Sequence, residues 1–164
     1  MKATLVYPLK ANYTLMATKL KKVGIDKLNG FGGKPKPKDI SIRHTAAREF
    51  MEEAGTEINT KPENLVIRAE IDFYNFDNKT NEPNWSVVIF TVRDFTGLAE
   101  TTLEMEKPLY YDINDLPFED MMPADCEFLP RVLSNGPTFR GTVRFNADMT
   151  AVTESNYYDI ALEI

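Results

Sequence analysis

The sequence has 164 residues, of which 43% are hydrophobic, and it carries a formal net charge of −6. This length and composition predict a single domain, residues 1–164, with an ordinary buried core. The acidic balance argues against long nucleic acid as a partner, because a surface that neutralises a phosphate polymer is basic. A small polyphosphate is still compatible with this charge if carboxylates hold bridging metal ions.

Cysteine and histidine each occur once, as Cys126 and His44. An intrachain disulfide is therefore excluded, and a metal site has to rest on oxygen ligands, which favour magnesium, manganese or calcium over zinc. The N-terminal 22 residues contain no apolar run long enough for a membrane span or a signal peptide, since Lys10 interrupts it. We therefore expect a cytoplasmic protein that contacts no membrane.

Strand patterns open the chain, followed by a loop. Alternating β-branched and aromatic residues predict strands over residues 3–7 and 13–19, joined as a hairpin. Residues 21–38 are rich in Lys, Gly and Pro and have no periodicity, so they predict a long exposed loop. Residues 41–54 predict a helix that Ser41 caps and Gly55 ends.

The second half predicts two further hairpins and a second helix. Residues 65–76 and 85–95 flank the polar turn 77–84 as two strands do, and residues 110–113 add a short strand. Residues 123–134 form an amphipathic helix that Pro130 bends or shortens. Residues 139–145 alternate in polarity, and the same alternation at Ile160, Leu162 and Ile164 predicts the last strand. Together these elements predict an α+β fold.

The first helix concentrates acidic residues. Glu49, Glu52 and Glu53 stand at i, i+3 and i+4, which places three carboxylates on one face within a single turn. Divalent cations can compensate the repulsion between them. Arg48 lies four residues before Glu52, close enough to pair with it. Such a face is often only solvated surface, but the preceding Gly-rich loop offers backbone N–H groups and Lys34 to an anion.

These residues resemble the signature of the Nudix hydrolase family: a Gly, a separate Glu, then Arg-Glu-apolar-any-Glu-Glu-any-Gly. The match is carried by Arg48, Glu49, Glu52, Glu53 and Gly55. The interval from Gly33 to Arg48 is one residue longer than in the family, and either Asp39 or Ile40 stands in place of the separate glutamate. Thr56 replaces the apolar residue that usually follows the last glycine.

The resemblance implies a Nudix-type mixed β-sheet sandwiched by helices and hydrolysis of a nucleotide diphosphate with Mg²⁺, with Mn²⁺ as a possible substitute. It implies that Glu49, Glu52 and Glu53 ligate the metal together with the Gly33 carbonyl. Glu52 or Glu53 would help to deprotonate the attacking water, and Arg48 would orient the glutamates. Either Glu104 or Glu106 would supply a further ligand.

Beyond this segment the chain resembles the mammalian-type oxidised-purine nucleoside triphosphatase branch of the family, through LNGFGGK (28–34), LPFEDMMPAD (116–125) and FRGTVRF (139–145). This resemblance implies cleavage of nucleotides such as 8-oxo-dGTP to monophosphate and pyrophosphate. The implied substrate-binding residues are Thr4, Lys19, Asn29, Gly32, Gly33, Lys34, Met122 and Asp125. Met122 stands where the branch has a stacking tryptophan, and Ala124 where it has the first of two aspartates.

Several alternatives stay open. The substrate could be another nucleoside-diphosphate-linked molecule, such as a nucleotide sugar, a dinucleotide or a capped RNA end, or the chain could be a non-catalytic nucleotide sensor. The expected partner is in each case a small nucleotide, bound by a monomer or a homodimer. Asn29 has an alternative role as a turn residue, and Trp85 is more typical of a core than of a stacking platform.

Overall fold

The computed structural model describes residues 1–163, which contain eight β-strands and two α-helices. The strands are Lys2–Lys10 (β1), Tyr13–Lys19 (β2), Leu28–Asn29 (β3), Leu65–Tyr74 (β4), Trp85–Val92 (β5), Met105–Asp112 (β6), Phe139–Phe145 (β7) and Val152–Asp159 (β8). The helices are Ile42–Ala54 (α1) and Asp125–Leu133 (α2). Neither helix in this part of the chain is long and apolar enough to cross a membrane.

The strands form a mixed sheet in the order β3-β2-β1-β5-β4-β7-β8, with β6 paired to β2. β1 runs parallel to β5 and β4 runs parallel to β7, while the other pairs are antiparallel. A bridge between Val6 and Phe31 attaches the Gly-rich segment, residues 30–34, beside β1. The segment that precedes α1 is therefore fixed to the sheet.

The two helices cover opposite faces of the sheet. Successive side chains of a strand point to opposite faces, and on β1 Val6 packs in the cluster of α1 while Tyr7 packs in the cluster of α2. Val88 and Ile89 of β5 divide in the same way. The α+β class and the mixed sheet sandwiched by helices, predicted from the sequence, are confirmed.

The prediction for helix α1 is confirmed closely. Ser41 caps its start by accepting a hydrogen bond from the His44 N–H, and Gly55 follows its end with φ 117°, a conformation that favours glycine. Phe50 is fully buried beneath the helix. The carboxylates of α1 are thus mounted on an element that is anchored at both ends and along its inner face.

Two sequence predictions are wrong. Ile160 and Leu162 do not continue a strand, because β8 ends at Asp159, opposite Phe139, where its partner β7 begins. Ile164, the last residue of that predicted alternation, lies outside the described residues. Residues 21–38 are not wholly exposed, because they contain the short strand β3 and the fully buried Phe31. The hydrophobic side chains in that segment are too widely spaced to show a strand period.

Arg68 anchors α2 to the sheet. It lies at an irregularity in the pairing of β4 with β5, between Ile67 and Ala69. Its guanidinium donates hydrogen bonds to the carbonyl oxygens of Val132 (3.1 Å), Ser134 (2.8 Å) and Gly136 (2.8 Å). Carbonyls at a helix C-terminus have no partner within the helix and interact favourably with a cation.

We expect Arg68→Met to lower the free energy of unfolding by about 2–4 kcal/mol, because the carbonyl oxygens of Val132, Ser134 and Gly136 lose a charged donor. Urea denaturation measures this change. Arg93→Met is the matched control, since Arg93 donates a single bond to the Ala11 carbonyl, and it should cost about 0.5 kcal/mol or less. Equal losses in the two variants would contradict the anchoring role of Arg68.

Candidate active site

A cavity of about 580 Å³ opens between the sheet and α2. Its apolar wall includes Leu5 of β1, Phe73 of β4 and Val87 of β5 from the sheet, and Phe128 from α2. Its polar lining includes the Gly-rich segment, Glu49 of α1 and Asp125 of α2. The volume lies within the usual range for small-molecule sites, which combine apolar walls with a few placed polar groups.

Arg48 is the centre of a charged network on α1. Its Nε and Nη2 donate to the two carboxylate oxygens of Asp39 at 2.9 and 2.7 Å. Its Nη1 donates to Glu49 Oε1 at 2.7 Å and to Glu52 Oε2 at 3.0 Å. The predicted pairing of Arg48 with Glu52 is therefore confirmed, and one guanidinium holds three carboxylates.

The sequence allowed either Asp39 or Ile40 at the position of the separate glutamate of the signature, and in the structure Asp39 contacts Arg48. Ile40 is 83% exposed, whereas the carboxylate of Asp39 forms an ion pair with the Arg48 guanidinium. The hydrogen bonds from Arg48 hold the pKa of Asp39 well below its usual range. Although the interval between Gly33 and Arg48 is one residue longer than in the family signature, it still places a carboxylate against the Arg48 guanidinium.

The three glutamates of α1 differ in their surroundings. Glu49 and Glu53 are buried, while the Glu52 side chain is 45% exposed and pairs with Lys36 Nζ at 2.9 Å. Glu53 Oε2 accepts the Gly32 N–H at 2.8 Å. Burial raises the pKa of the Glu53 carboxyl to about 7. Burial also lowers the pKa of Lys19, which lies near Glu53.

Gly32 allows the Gly-rich segment to lie directly against β1. A Cβ atom at this position would lie 1.9 Å from the Thr4 carbonyl oxygen, far inside any real contact. A Cβ at Gly33 would lie 2.5 Å from the Glu49 carboxyl carbon. Both glycines therefore let the segment pass directly between β1 and the carboxylates of α1.

The carboxylates of these glutamates are suitable ligands for a hard cation, although each of them is hydrogen-bonded to another group of the protein. Within residues 1–163, no three acidic, histidine or cysteine side chains converge on one ready-made metal position. Arg48 instead holds Glu49 and Glu52, Lys36 also holds Glu52, and the Gly32 N–H holds Glu53. The donor set is nevertheless all oxygen and largely anionic, as Mg²⁺ requires.

Two further oxygen donors were expected from the sequence. Glu104 acts electrostatically on the Glu53 carboxyl and pairs with Lys22 at 2.9 Å, whereas Glu106 lies beside Lys107 at 4.0 Å. Of the two, Glu104 is the one that acts on the Glu53 carboxyl, and its role as a metal ligand stays a prediction. The Gly33 carbonyl accepts from the Thr4 N–H (2.8 Å) and hydroxyl (3.3 Å), so one of these bonds has to yield before that oxygen can bind a metal.

Asn29 and Asp125 provide hydrogen-bonding groups in the cavity. Asn29 Oδ1 accepts from the Tyr7 hydroxyl (3.1 Å) and from the Gly30 N–H (2.9 Å). These bonds fix the amide orientation and leave Nδ2 as the donor for a ligand. Asp125 is buried and accepts the Met122 N–H at 3.1 Å. Burial raises the pKa of Asp125 to about 7.

The cavity collects all the residues that the sequence predicted as substrate-binding. They are Thr4, Lys19, Asn29, Gly32, Gly33, Lys34, Met122 and Asp125. Glu49 also lines it. Arg48 contacts both Glu49 and Glu52, and Glu53 accepts the N–H of Gly32, which is itself a lining residue. Lys22, Trp85 and Met149 line the cavity without having been predicted to do so.

Little in the sequence indicated that these residues would line the cavity. Met149 reaches the cavity from a turn in which its φ is 58° and its N–H donates to the Asn146 carbonyl. A methionine with positive φ is unusual. Asn146 and Asp148 beside it are typical turn residues, but they do not indicate that the Met149 side chain reaches the cavity. Trp85 had a weak signal, since it begins a predicted strand and could have been placed at a sheet edge or cavity rim.

Comparison with known proteins is consistent with this site. A family model described as a NUDIX domain matches residues 3–132. The chain is 27% identical over 152 residues to an oxidized purine nucleoside triphosphate hydrolase of Mus musculus, with coverage of 93% of this chain and 91% of that protein. It is 30% identical over 142 residues to the protein of the same name from Danio rerio, with coverage of 87% and 85%.

Solved structures share the fold. A MutT protein from Bacillus halodurans superposes with a TM-score of 0.76 at 19% identity, covering 95% of this chain and 96% of that one. An ADP-ribose pyrophosphatase from Streptococcus suis gives a TM-score of 0.57 at 20% identity, covering 88% and 97%. These solved structures therefore share the overall fold of this chain.

The raised pKa of Asp125 predicts a pH-dependent stability. Between about pH 4, where an unfolded aspartate ionises, and the folded pKa of about 7, only the folded protein keeps this proton. Stability therefore falls as the pH rises through this window, by at most about 1.4 kcal/mol per pH unit. Asp125→Asn should remove this component, as measured by urea unfolding from pH 5 to 8. Glu119→Gln, an exposed control, should keep the wild-type slope, and an unchanged slope in Asp125→Asn would refute the burial effect.

Proposed function

Since this chain belongs to the Nudix family and is a pyrophosphohydrolase, we propose that it hydrolyses purine nucleoside triphosphates, oxidised ones such as 8-oxo-dGTP among them, to the monophosphate and pyrophosphate. The observation that carries this proposal is the single cavity that joins Asn29 and Asp125 to Lys34 and Glu49. The similarity to the two oxidized purine nucleoside triphosphate hydrolases supports it. Base recognition and phosphate chemistry would share one site.

The charge of the cavity suits a polyphosphate. Four lysines line it, namely Lys19, Lys22, Lys34 and Lys36, although the whole chain has a net charge of −6. Ammonium groups interact with phosphate as point charges, and the backbone N–H groups of a Gly-rich segment add hydrogen-bond donors. The phosphate chain would therefore lie along residues 32–36, beside the carboxylates of α1.

The hydrogen-bonding pair suits the edge of a purine. Asn29 Nδ2 donates, so it fits a carbonyl oxygen or ring nitrogen of the base. Asp125, with its pKa raised to about 7 by burial, can accept from a base N–H when ionised and donate to a base acceptor when protonated. A carboxyl with both options can read more than one modified base edge.

Mg²⁺, with Mn²⁺ as a substitute, would be held by Glu49, Glu52 and Glu53, with Glu104 and the Gly33 carbonyl as further oxygen donors. When bound, the metal would offset charge on the phosphate oxygens and lower the pKa of the attacking water. The remaining tasks fall to side chains. Arg48 keeps the glutamates in position through the contacts described above. Glu52 or Glu53 would accept the proton of the water as the general base.

A panel of nucleotides tests the proposed function. The protein is incubated with Mg²⁺ and 8-oxo-dGTP, dGTP, dATP, ADP-ribose, a nucleotide sugar or a dinucleoside polyphosphate, and the release of monophosphate and pyrophosphate is measured. We expect the highest kcat/KM for a purine nucleoside triphosphate. Preference for a diphosphate-linked conjugate would support a different Nudix substrate, and binding without any turnover would support a sensor.

We expect Glu52→Gln and Glu53→Gln to lower kcat for the preferred nucleotide by at least ~10²-fold, because each removes a charged oxygen that serves the metal or the attacking water. Steady-state kinetics measures the loss. Glu57→Gln removes the same charge from an exposed position just after the helix, and its kcat should match the wild type. Wild-type rates in both glutamate variants of α1 would rule out the proposed catalytic site.

A further inference from the structure

Trp85 occupies the outer end of the cavity wall. It is the first residue of β5, pairs across the sheet with Phe73 of β4, and lines the cavity together with Phe73 and Val87. Trp85 and Val87 share one face of the strand because they are two residues apart. Trp85 is only partly buried. An indole in this position presents a large apolar surface that a bound molecule can cover.

The ammonium group of Lys34 lies over this indole. Lys34 Nζ is 5.1 Å from the ring centroid of Trp85, within the range of a cation–π contact. Within residues 1–163 the ammonium makes no ion pair with an acidic side chain. Its backbone is fixed, because the Lys34 carbonyl accepts a hydrogen bond from Arg48 Nη2 at 3.1 Å. The position of the lysine along the cavity is therefore set, while its ammonium is held mainly by the ring.

We propose that Lys34 and Trp85 bind substrate as a coupled pair, in which the phosphate chain takes the Lys34 ammonium and the indole face that it leaves contacts the nucleoside. This inference rests on the proposed function for the identity of the ligand. Its physical basis is a competition between two partners of one cation. A charge-assisted hydrogen bond to phosphate is stronger than a cation–π contact on a partly exposed ring.

The coupling has a consequence for recognition. A nucleoside without phosphates would have to displace the ammonium from the indole without offering it a better partner. A nucleoside triphosphate does both at once, so its base and its phosphates bind cooperatively. Trp85 would thereby be a substrate-binding residue that favours phosphorylated ligands, in addition to the hydrogen-bonding pair Asn29 and Asp125.

Fluorescence tests the coupling directly, because Trp85 is the only tryptophan of the chain. Inorganic tripolyphosphate, which has no base, is titrated into the protein while the tryptophan emission is recorded. We expect a saturable change in the wild type and none in Lys34→Gln. Lys38→Gln removes the same charge from an exposed position in the same segment and should respond like the wild type. A silent wild type, or an equal response in Lys34→Gln, would overturn the inference.

Kinetics tests the contact between the indole and the nucleoside. We expect Trp85→Ala to raise KM for the preferred nucleoside triphosphate about fivefold or more, with kcat nearly unchanged, because base–aromatic stacking is lost. Trp85→Phe, which keeps an aromatic face, should recover most of the affinity. A fall in kcat and in the thermal midpoint that phenylalanine does not rescue would indicate a purely structural role and contradict the proposal.

The two experiments separate this inference from the proposed function. The emission of Trp85 requires no turnover, so a protein that hydrolyses no nucleotide can still show the Lys34-dependent response to tripolyphosphate. Hydrolysis of nucleotides by a protein whose Trp85 emission is unaffected by tripolyphosphate would leave the enzyme intact and remove only the coupling.

Discussion

The bidentate contact between Arg48 and Asp39 is the interaction on which the rest of the site depends. Concentrating Glu49, Glu52 and Glu53 within one helical turn is unfavourable unless positive charge lies among them. Arg48 supplies it, and Asp39 fixes the guanidinium plane so that the remaining N–H groups face Glu49, Glu52 and the Lys34 carbonyl. The pKa of Arg48 is raised above its usual range chiefly by the hydrogen bonds to Asp39. The same residue therefore orders the carboxylates and places the lysine proposed to bind phosphate.

Lysines supply further positive charge beside the carboxylates, and they can leave their acidic partners more readily than Arg48 can. Lys36 pairs with the exposed Glu52, and Lys22 pairs with Glu104. Ion pairs of this exposure contribute only about 0–1 kcal/mol, and a cation–π contact at an exposed ring contributes about 0.5–1 kcal/mol. Hydrogen bonds to charged groups contribute about 1.5–3 kcal/mol. A metal polyphosphate can thus recruit the lysines, whereas the largely buried pair of Arg48 with Asp39 keeps its geometry.

The sequence predicted the parts of the molecule that depend on local pattern. Helix α1, its caps and the pairing of Arg48 with Glu52 follow from spacing along one helix. The eight predicted substrate-binding residues, which line one cavity, were instead implied by the resemblance to a known family. The order of the strands and the choice of Asp39 over Ile40 depend on contacts between distant segments, which periodicity does not encode. The sequence predicted the last strand too far along the chain, because the exposed residues of β8 do not alternate in polarity. Strand β8 is defined by its pairing with β7.

The walls of the cavity and its hydrogen-bonding groups contribute differently to selectivity. Met122 and Met149 line the cavity with flexible, polarisable side chains, which can adapt to ligands of different shape. Apolar walls alone discriminate between similar ligands by only about 10–200-fold, whereas a site with placed hydrogen-bonding groups can reach about 10⁴–10⁵-fold, because a mismatched ligand leaves polar groups unpaired. Asn29 is locked by Tyr7 and Gly30, and Asp125 is held by the Met122 N–H. Under the proposed function, selectivity for the base would therefore come from this fixed pair, and Met122, which stands where the related branch has a tryptophan, would widen the range of bases without removing the groups that read them.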